Sequence, residues 1–197
     1  MPTGTPYYLA EQRPLPAEVH TTGAVWCPSR AYRFVLYRLD GNPDSGSVLC
    51  AISLNPSSAD EYRDDATVQQ CWGFARRGGF TGLLVLNVMA VRGSDPDEVL
   101  KGPLDPVGVD NDAWIRFYAQ RGSLPLPSGV EVPIDQFILS CGNLGATYGR
   151  AETVARLVTE YRDLYCLGTT QKGLPRHPSR LAHDTPITLY RAARRNG

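Results

Sequence analysis

The strongest constraint on this chain is an alternation. Short apolar runs at 47–54, 82–88, 136–141 and 163–167 are separated by stretches whose apolar residues recur at helical spacing. In 65–77, Val68, Cys71, Trp72 and Ala75 fall on one helical face. Asp64 or Asp65 is placed to cap that helix, and Gly78-Gly79 ends it. The segment 110–120 buries Trp114, Ile115 and Tyr118, and 149–161 aligns Val154, Leu157, Val158 and Tyr161. A strand whose whole length is apolar is buried on both faces, and strands alternating with helices pair in parallel. The pattern predicts an α/β fold, a three-layer α/β/α sandwich with a central, mainly parallel four-stranded sheet.

The remainder fits around that frame. Residues 1–30, rich in Pro, Thr and Gly, are expected to be an irregular arm, and 31–197 a single domain. A strand is expected at 32–39, a turn at 41–46, loops at 94–109, 123–133 and 168–184, and an extended piece at 186–190. A length of 197 residues suits one domain with its own core. No apolar run approaches the roughly 20 residues of a membrane span, and no secretion signal opens the chain, so a cytoplasmic location is expected. The net charge of zero argues against coating nucleic acid by bulk electrostatics. The tail is nevertheless basic, with Lys172, Arg176, Arg180, Arg191, Arg194 and Arg195 against Asp184. The five cysteines, Cys27, Cys50, Cys71, Cys141 and Cys166, lack metal-ligand spacing and are expected to be reduced thiols; no metal site and no cofactor are expected.

In a parallel sheet the ligand sits beyond the carboxyl ends of the strands. Those ends carry Asn55, Asn87, Asn143 and the stretch 175–179 with His177. A phosphate loop, a dinucleotide fingerprint and a nucleophile elbow are absent. What remains is amide and imidazole chemistry. An asparagine there either reads a base edge, holds a water, or bonds its own turn. His177 either acts on a leaving group or bonds loop backbone. His20 and His183 are read as structural.

Asn55-Pro56 after a buried strand, Asn87 with Arg92 soon after, a glycine ending the third strand, and His177-Pro178-Ser179-Arg180-Leu181 stand in an order that resembles the uracil-DNA glycosylase superfamily. More closely, the chain resembles a bacterial family known as domain of unknown function 1643. The shared motifs are Tyr32-Arg33, Leu54-Asn55-Pro56-Ser57, Asp65-Ala66-Thr67, the stretch 105–112 and Pro175-Arg176-His177-Pro178.

The resemblance implies a glycosylase-like fold that hydrolyses the bond between a damaged or modified nucleobase and deoxyribose. It implies that Asn55 orients the attacking water and His177 stabilises the departing base. Asn87 would pair with the base edge, with Pro56, Ser57, Asn143 and Tyr62 completing the substrate pocket. Arg176, Ser179, Arg180 and Leu181 would contact the nucleic-acid backbone, Leu181 as a wedge for a flipped nucleotide. Asn55 stands where the most active relatives carry aspartate, which implies slow turnover. Ser53 replaces the usual opening glycine, and Ala66 the proline of the helix-start motif. The resemblance gives no role to Asp60, Asp64, Asp65 or 105–112. The expected partner is DNA or a nucleotide, without a membrane or an obligate protein partner. Two alternatives stand beside this: an N-glycosidase for a free nucleoside or nucleotide, and a non-catalytic nucleotide or nucleic-acid binding module.

Overall fold

The computed structural model describes residues 21–40 and 46–194. Strands β1 (Thr21–Trp26) and β2 (Arg33–Leu39) come first, then β3 (Val48–Ser53), α1 (Ala66–Arg77) and β4 (Gly82–Asn87). Helices α2 (Pro96–Lys101) and α3 (Asn111–Arg121) lead to β5 (Ser123–Pro125) and β6 (Glu131–Leu139). A 3₁₀ turn at Asn143–Gly149 runs into α4 (Arg150–Thr159), followed by β7 (Leu164–Cys166) and β8 (Thr188–Arg191).

The strands make one eight-stranded sheet in the order β1-β2-β4-β3-β6-β7-β8, with β5 beside β6. The pairs β4–β3, β3–β6 and β6–β7 are parallel, while β1–β2, β2–β4, β5–β6 and β7–β8 pair antiparallel. This corrects the predicted fold class. The sheet is mixed, twice as wide as expected, and curls into a half-barrel with few helices; it is not a four-stranded sheet sandwiched between helical layers. The reason is physical. β4 and β7 would each leave an apolar strand with a bare edge of amide and carbonyl groups. β2, buried along its whole length, covers the first edge, and β8 covers the second.

The predicted runs form where expected because both faces are buried. On one face Leu49, Ala51, Leu83, Val85 and Ile138 share a core with Val68, Cys71, Trp72, Phe74 and Ala75 of α1. On the other, Cys50, Ile52, Leu84, Leu86 and Leu139 share a core with Ile115 and Tyr118 of α3 and Val154, Ala155 and Val158 of α4. Adjacent residues of one strand thus serve opposite cores, and each large apolar side chain so buried contributes about 1.5–3 kcal/mol.

Three expectations move. The described part of the 1–30 arm holds β1, which pairs with β2 from Thr21↔Leu39 to Trp26↔Arg33. Residues 1–20, the 41–45 part of the predicted turn, and 195–197 lie outside the described residues. The predicted loop at 94–109 contains α2, capped by Asp95 with Pro96 in its first turn. The predicted loop at 123–133 contains β5 and the start of β6. No described helix is long and apolar enough to cross a membrane.

Candidate functional site

Parallel pairing brings the ends of β4, β3 and β6 to one edge of the sheet, and the residues just beyond them are stitched together. Ser53 lies beside Asn87 in the register. The Val88 N–H donates to the Ser53 carbonyl (2.8 Å) and the Met89 N–H to the Leu54 carbonyl (3.0 Å). On the β6 side the Ser140 N–H donates to the Ile52 carbonyl at 2.8 Å, and the two hydroxyls of Ser53 and Ser140 meet at 3.3 Å.

Asn87 is 1% exposed. Its Oδ1 accepts a long bond (3.4 Å) from a terminal nitrogen of Arg33, and its Nδ2 has no partner. Arg33, 2% exposed, also donates to the Ala59 carbonyl at 2.8 Å, and its Nε is unpartnered. Burial pulls the Arg33 guanidinium down to about 10, against the favourable charge of Asp65, so it stays cationic at neutral pH.

The stretch 105–112 is what holds the far end of β4. Asn111 Nδ2 donates to the carbonyls of Asn87 (2.9 Å) and Val88 (3.4 Å). Arg150 donates through Nε to the Val88 carbonyl at 2.8 Å while pairing with Asp112. The Ala90 and Val91 N–H groups donate to the carbonyls of Val107 and Pro106.

Asn55 joins two loops. Its Nδ2 donates to the carbonyls of Pro56 (2.9 Å) and Gly93 (2.8 Å), which leaves Oδ1 as the open acceptor. The same loops are tied by the Gly93 N–H to the Pro56 carbonyl, Arg92 Nε to the Ser57 carbonyl (3.1 Å), and the hydroxyls of Ser57 and Ser94 (3.0 Å). Pro56 is buried in this clamp. Arg92 and Arg30 both lie over the Trp26 ring, but Arg30 is neutralised by a two-pronged pair with Glu61, both bonds 2.8 Å.

His177 arrives from the loop after β7. The Gly142 N–H donates to the Pro175 carbonyl. Gly142 has φ +65, and a Cβ there would stand 3.2 Å from Cβ of His177, so glycine serves both the turn and the close approach. The Ser179 N–H donates to Nδ1 of His177 at 3.3 Å, with the Ser179 hydroxyl 2.8 Å from the same nitrogen. An Nδ1 that accepts is unprotonated, so the neutral ring carries its proton on Nε2. Burial lowers the His177 pKa, opposed by the charge of Asp65, so the ring is neutral at pH 7.

The other expected site residues divide. Asn143 begins the turn after β6, with Oδ1 accepting from Thr170 at 2.8 Å. Arg176 and Arg180 are exposed on the His177 loop. Ser179 is engaged with His177, which makes it a positioning residue. Leu181 is 7% exposed and packs in the α1 core, its carbonyl bonded by Gln70; it does not project as a wedge. Tyr62 is 50% exposed on the turn held by Asp60, beside Arg30.

The acids are accounted for locally. Asp60 Oδ1 accepts from the Tyr62 and Arg63 N–H groups, and Asp64 pairs with Arg38 at 2.9 Å. Asp65 caps α1 by accepting from the Val68 N–H and also holds the Ala59 N–H. Its charge acts on both Arg33 and His177. No group of three or more His, Cys, Asp or Glu among the described residues is arranged to hold a metal. The five thiols are free, and burial raises Cys50, Cys71 and Cys141.

Three residues of this site escape a reading of strand ends: Arg33, Asn111 and Arg150. Two of them carried a signal, because Arg33 lies in the Tyr32-Arg33 motif and Asn111 in 105–112. Arg150 was legible only as a residue in the first turn of the predicted helix 149–161.

Fold and local geometry set Asn55, Asn87 and the His177 loop at the carboxyl edge of the parallel strands of a mixed sheet. The family model described as "Protein of unknown function (DUF1643)" matches residues 33–179, and the chain belongs to that family. No curated protein and no solved structure matches the chain.

Proposed function

We propose that this protein is an N-glycosidase of the DNA glycosylase type, which hydrolyses the bond between a nucleobase and deoxyribose. The observation that carries the reading is Asn87, a buried amide at a strand end whose NH₂ is left without a partner. An orphaned buried donor costs about 1–3 kcal/mol, which a ligand acceptor recovers. Support comes from the order of motifs that resembles the uracil-DNA glycosylase superfamily, and from the chemistry of the other two groups. Water attacks the sugar carbon, the carbon–nitrogen bond breaks, and its electron pair leaves with the base. Asn55 Oδ1 accepts a hydrogen bond from the attacking water, whose proton passes to solvent. His177 Nε2–H donates to the oxygen on which the base's negative charge grows. The base then takes up a proton from solvent.

The zero net charge favours the second reading, cleavage of a free nucleoside or nucleotide by the same groups. The test is a panel of duplex DNA, single-stranded DNA and free nucleosides bearing different bases, scored for base release. Release from at least one substrate, abolished in Asn87→Ala without loss of the folded spectrum, is the expected result. Binding without release from any substrate would replace the enzyme with a binding module.

A further inference from the structure

We infer that Gln70 and Gly73 of α1 are positioning residues that clamp the far stem of the His177 loop, so that the imidazole stands in place before any substrate arrives. The inference rests on the reading of His177 as the group that meets the departing base. The near stem is held by backbone: the Gly142 N–H donates to the Pro175 carbonyl and the Arg176 N–H to the Gly168 carbonyl, both at 2.9 Å. Beyond His177 the chain turns, with the Leu181 N–H on the Pro178 carbonyl at 3.1 Å and Arg180 at φ +65. A left-handed residue other than glycine persists only where its surroundings hold it. Here the holding surface is one face of α1.

Gln70, Gly73 and Phe74 share that face, three and four residues apart. Gln70 uses both ends of its amide: Nε2 donates to the Leu181 carbonyl at 2.5 Å, and Oε1 meets Nε2 of His183 at 2.8 Å. The Leu181 carbonyl needs a donor, so the oxygen of Gln70 faces His183, and His183 must donate. A ring that donates through Nε2 does so whether neutral or charged, so this contact survives acid. Phe74 meets the His183 ring at 83°, the centroids 5.5 Å apart. Gly73 is the telling residue. Glycine inside a helix weakens it relative to alanine, yet a Cβ at this position would collide with the His183 ring. The glycine makes room for the ring. Leu181, buried in the α1 core, completes the clamp. The burial that keeps His177 neutral therefore depends on both stems. The charge of Asp65, at the start of α1, acts in the opposite direction, and Arg176 on the same loop is exposed.

The experiment follows the His177 ring by ¹⁵N NMR through a pH titration of the ligand-free full chain, with base release measured alongside. In wild type the ring holds its proton on Nε2 and titrates below 6.5. In Gln70→Ala both tethers go, the ring gains water, and its pKa rises toward 6.5. Base release slows by roughly ten- to a hundredfold, the size expected for a displaced catalytic group, and its acid limb moves to higher pH. Gly73→Ala acts in the same direction with smaller amplitude, because only the His183 contact is lost. Alanine is the better helix former, so this variant carries the test if Gln70→Ala does not fold. A His177 titration unchanged in folded Gln70→Ala, or in Gly73→Ala where that variant alone folds, overturns the clamp and leaves the proposed reaction standing. A wild type that releases no base from any substrate overturns the chemistry assigned to the loop, while a shifted titration in the variants still establishes the clamp.

Discussion

Ser179 decides which nitrogen of His177 carries the proton, and burial decides that the ring is neutral. The lowered pKa has a sign that solution work reads directly. Folding favours the uncharged ring, so its contribution to stability is complete above the ordinary value of 6.5 and is lost as pH falls through the lower folded value. Base release is expected to be level from pH 8 to about 6.5 and to decline below it, as the imidazole takes a second proton and the Nδ1 contact from the Ser179 N–H becomes donor against donor. His177→Ala should slow release by roughly 10²–10³-fold and flatten that acid limb. A variant that keeps the limb would assign the titration to another group. At this scale the sequence pointed to Asn55, Asn87 and His177 because strand ends and rigid prolines flag them. It could not show that Leu181 turns inward. An apolar residue after Arg180, whose φ is +65, reads as exposed until the α1 core is seen to take it.

Among the elements, β4 is the one whose end is most heavily held. Its neighbour β3 supplies the carbonyls of Ser53 and Leu54, α3 supplies Asn111, and α4 supplies Arg150. Asn111→Ala removes the donor for two buried carbonyls and should lower stability by about 1–3 kcal/mol, measured by urea unfolding. Base release should fall further than the lost stability explains, because Asn87 would no longer be fixed in register. Normal turnover in a destabilised but folded variant would separate the clamp from the chemistry. The elements buried on both faces were legible, since an unbroken run such as 47–54 admits few other structures. The start of β6 was obscured by Pro133. Its residues alternate, with Val132 and Ile134 buried and Glu131, Pro133 and Asp135 exposed, but proline there resembles loop punctuation. β1 was hidden because its sequence of two threonines and a glycine precedes its apolar part.

The whole molecule differs from the expected frame because pairing partners of a strand edge leave little local trace. The tract 32–39 showed itself as a strand, but its place between β1 and β4 is a fact of the sheet and not of the segment. The sheet gathers exposed Arg92, Arg176 and Arg180 on loops at the carboxyl edge of the parallel strands, a local positive lip on a chain of zero net charge. Three phosphate contacts predict a fall of log affinity with log salt of slope about −3 for duplex DNA. A slope near zero would assign the pocket to free nucleosides.

Three guanidinium groups surround one indole: Arg30 at 4.3 Å, Arg92 at 5.4 Å and Arg33 at 6.0 Å from the Trp26 ring centre. One of the three holds Asn87 and another grips the Ser57 loop. Trp26 is thus an optical probe already in place. Its emission depends on the charges around it, so a ligand that shifts Arg33 or Arg92 is expected to change it in unlabelled protein, and Trp26→Phe identifies which part of the signal belongs to it.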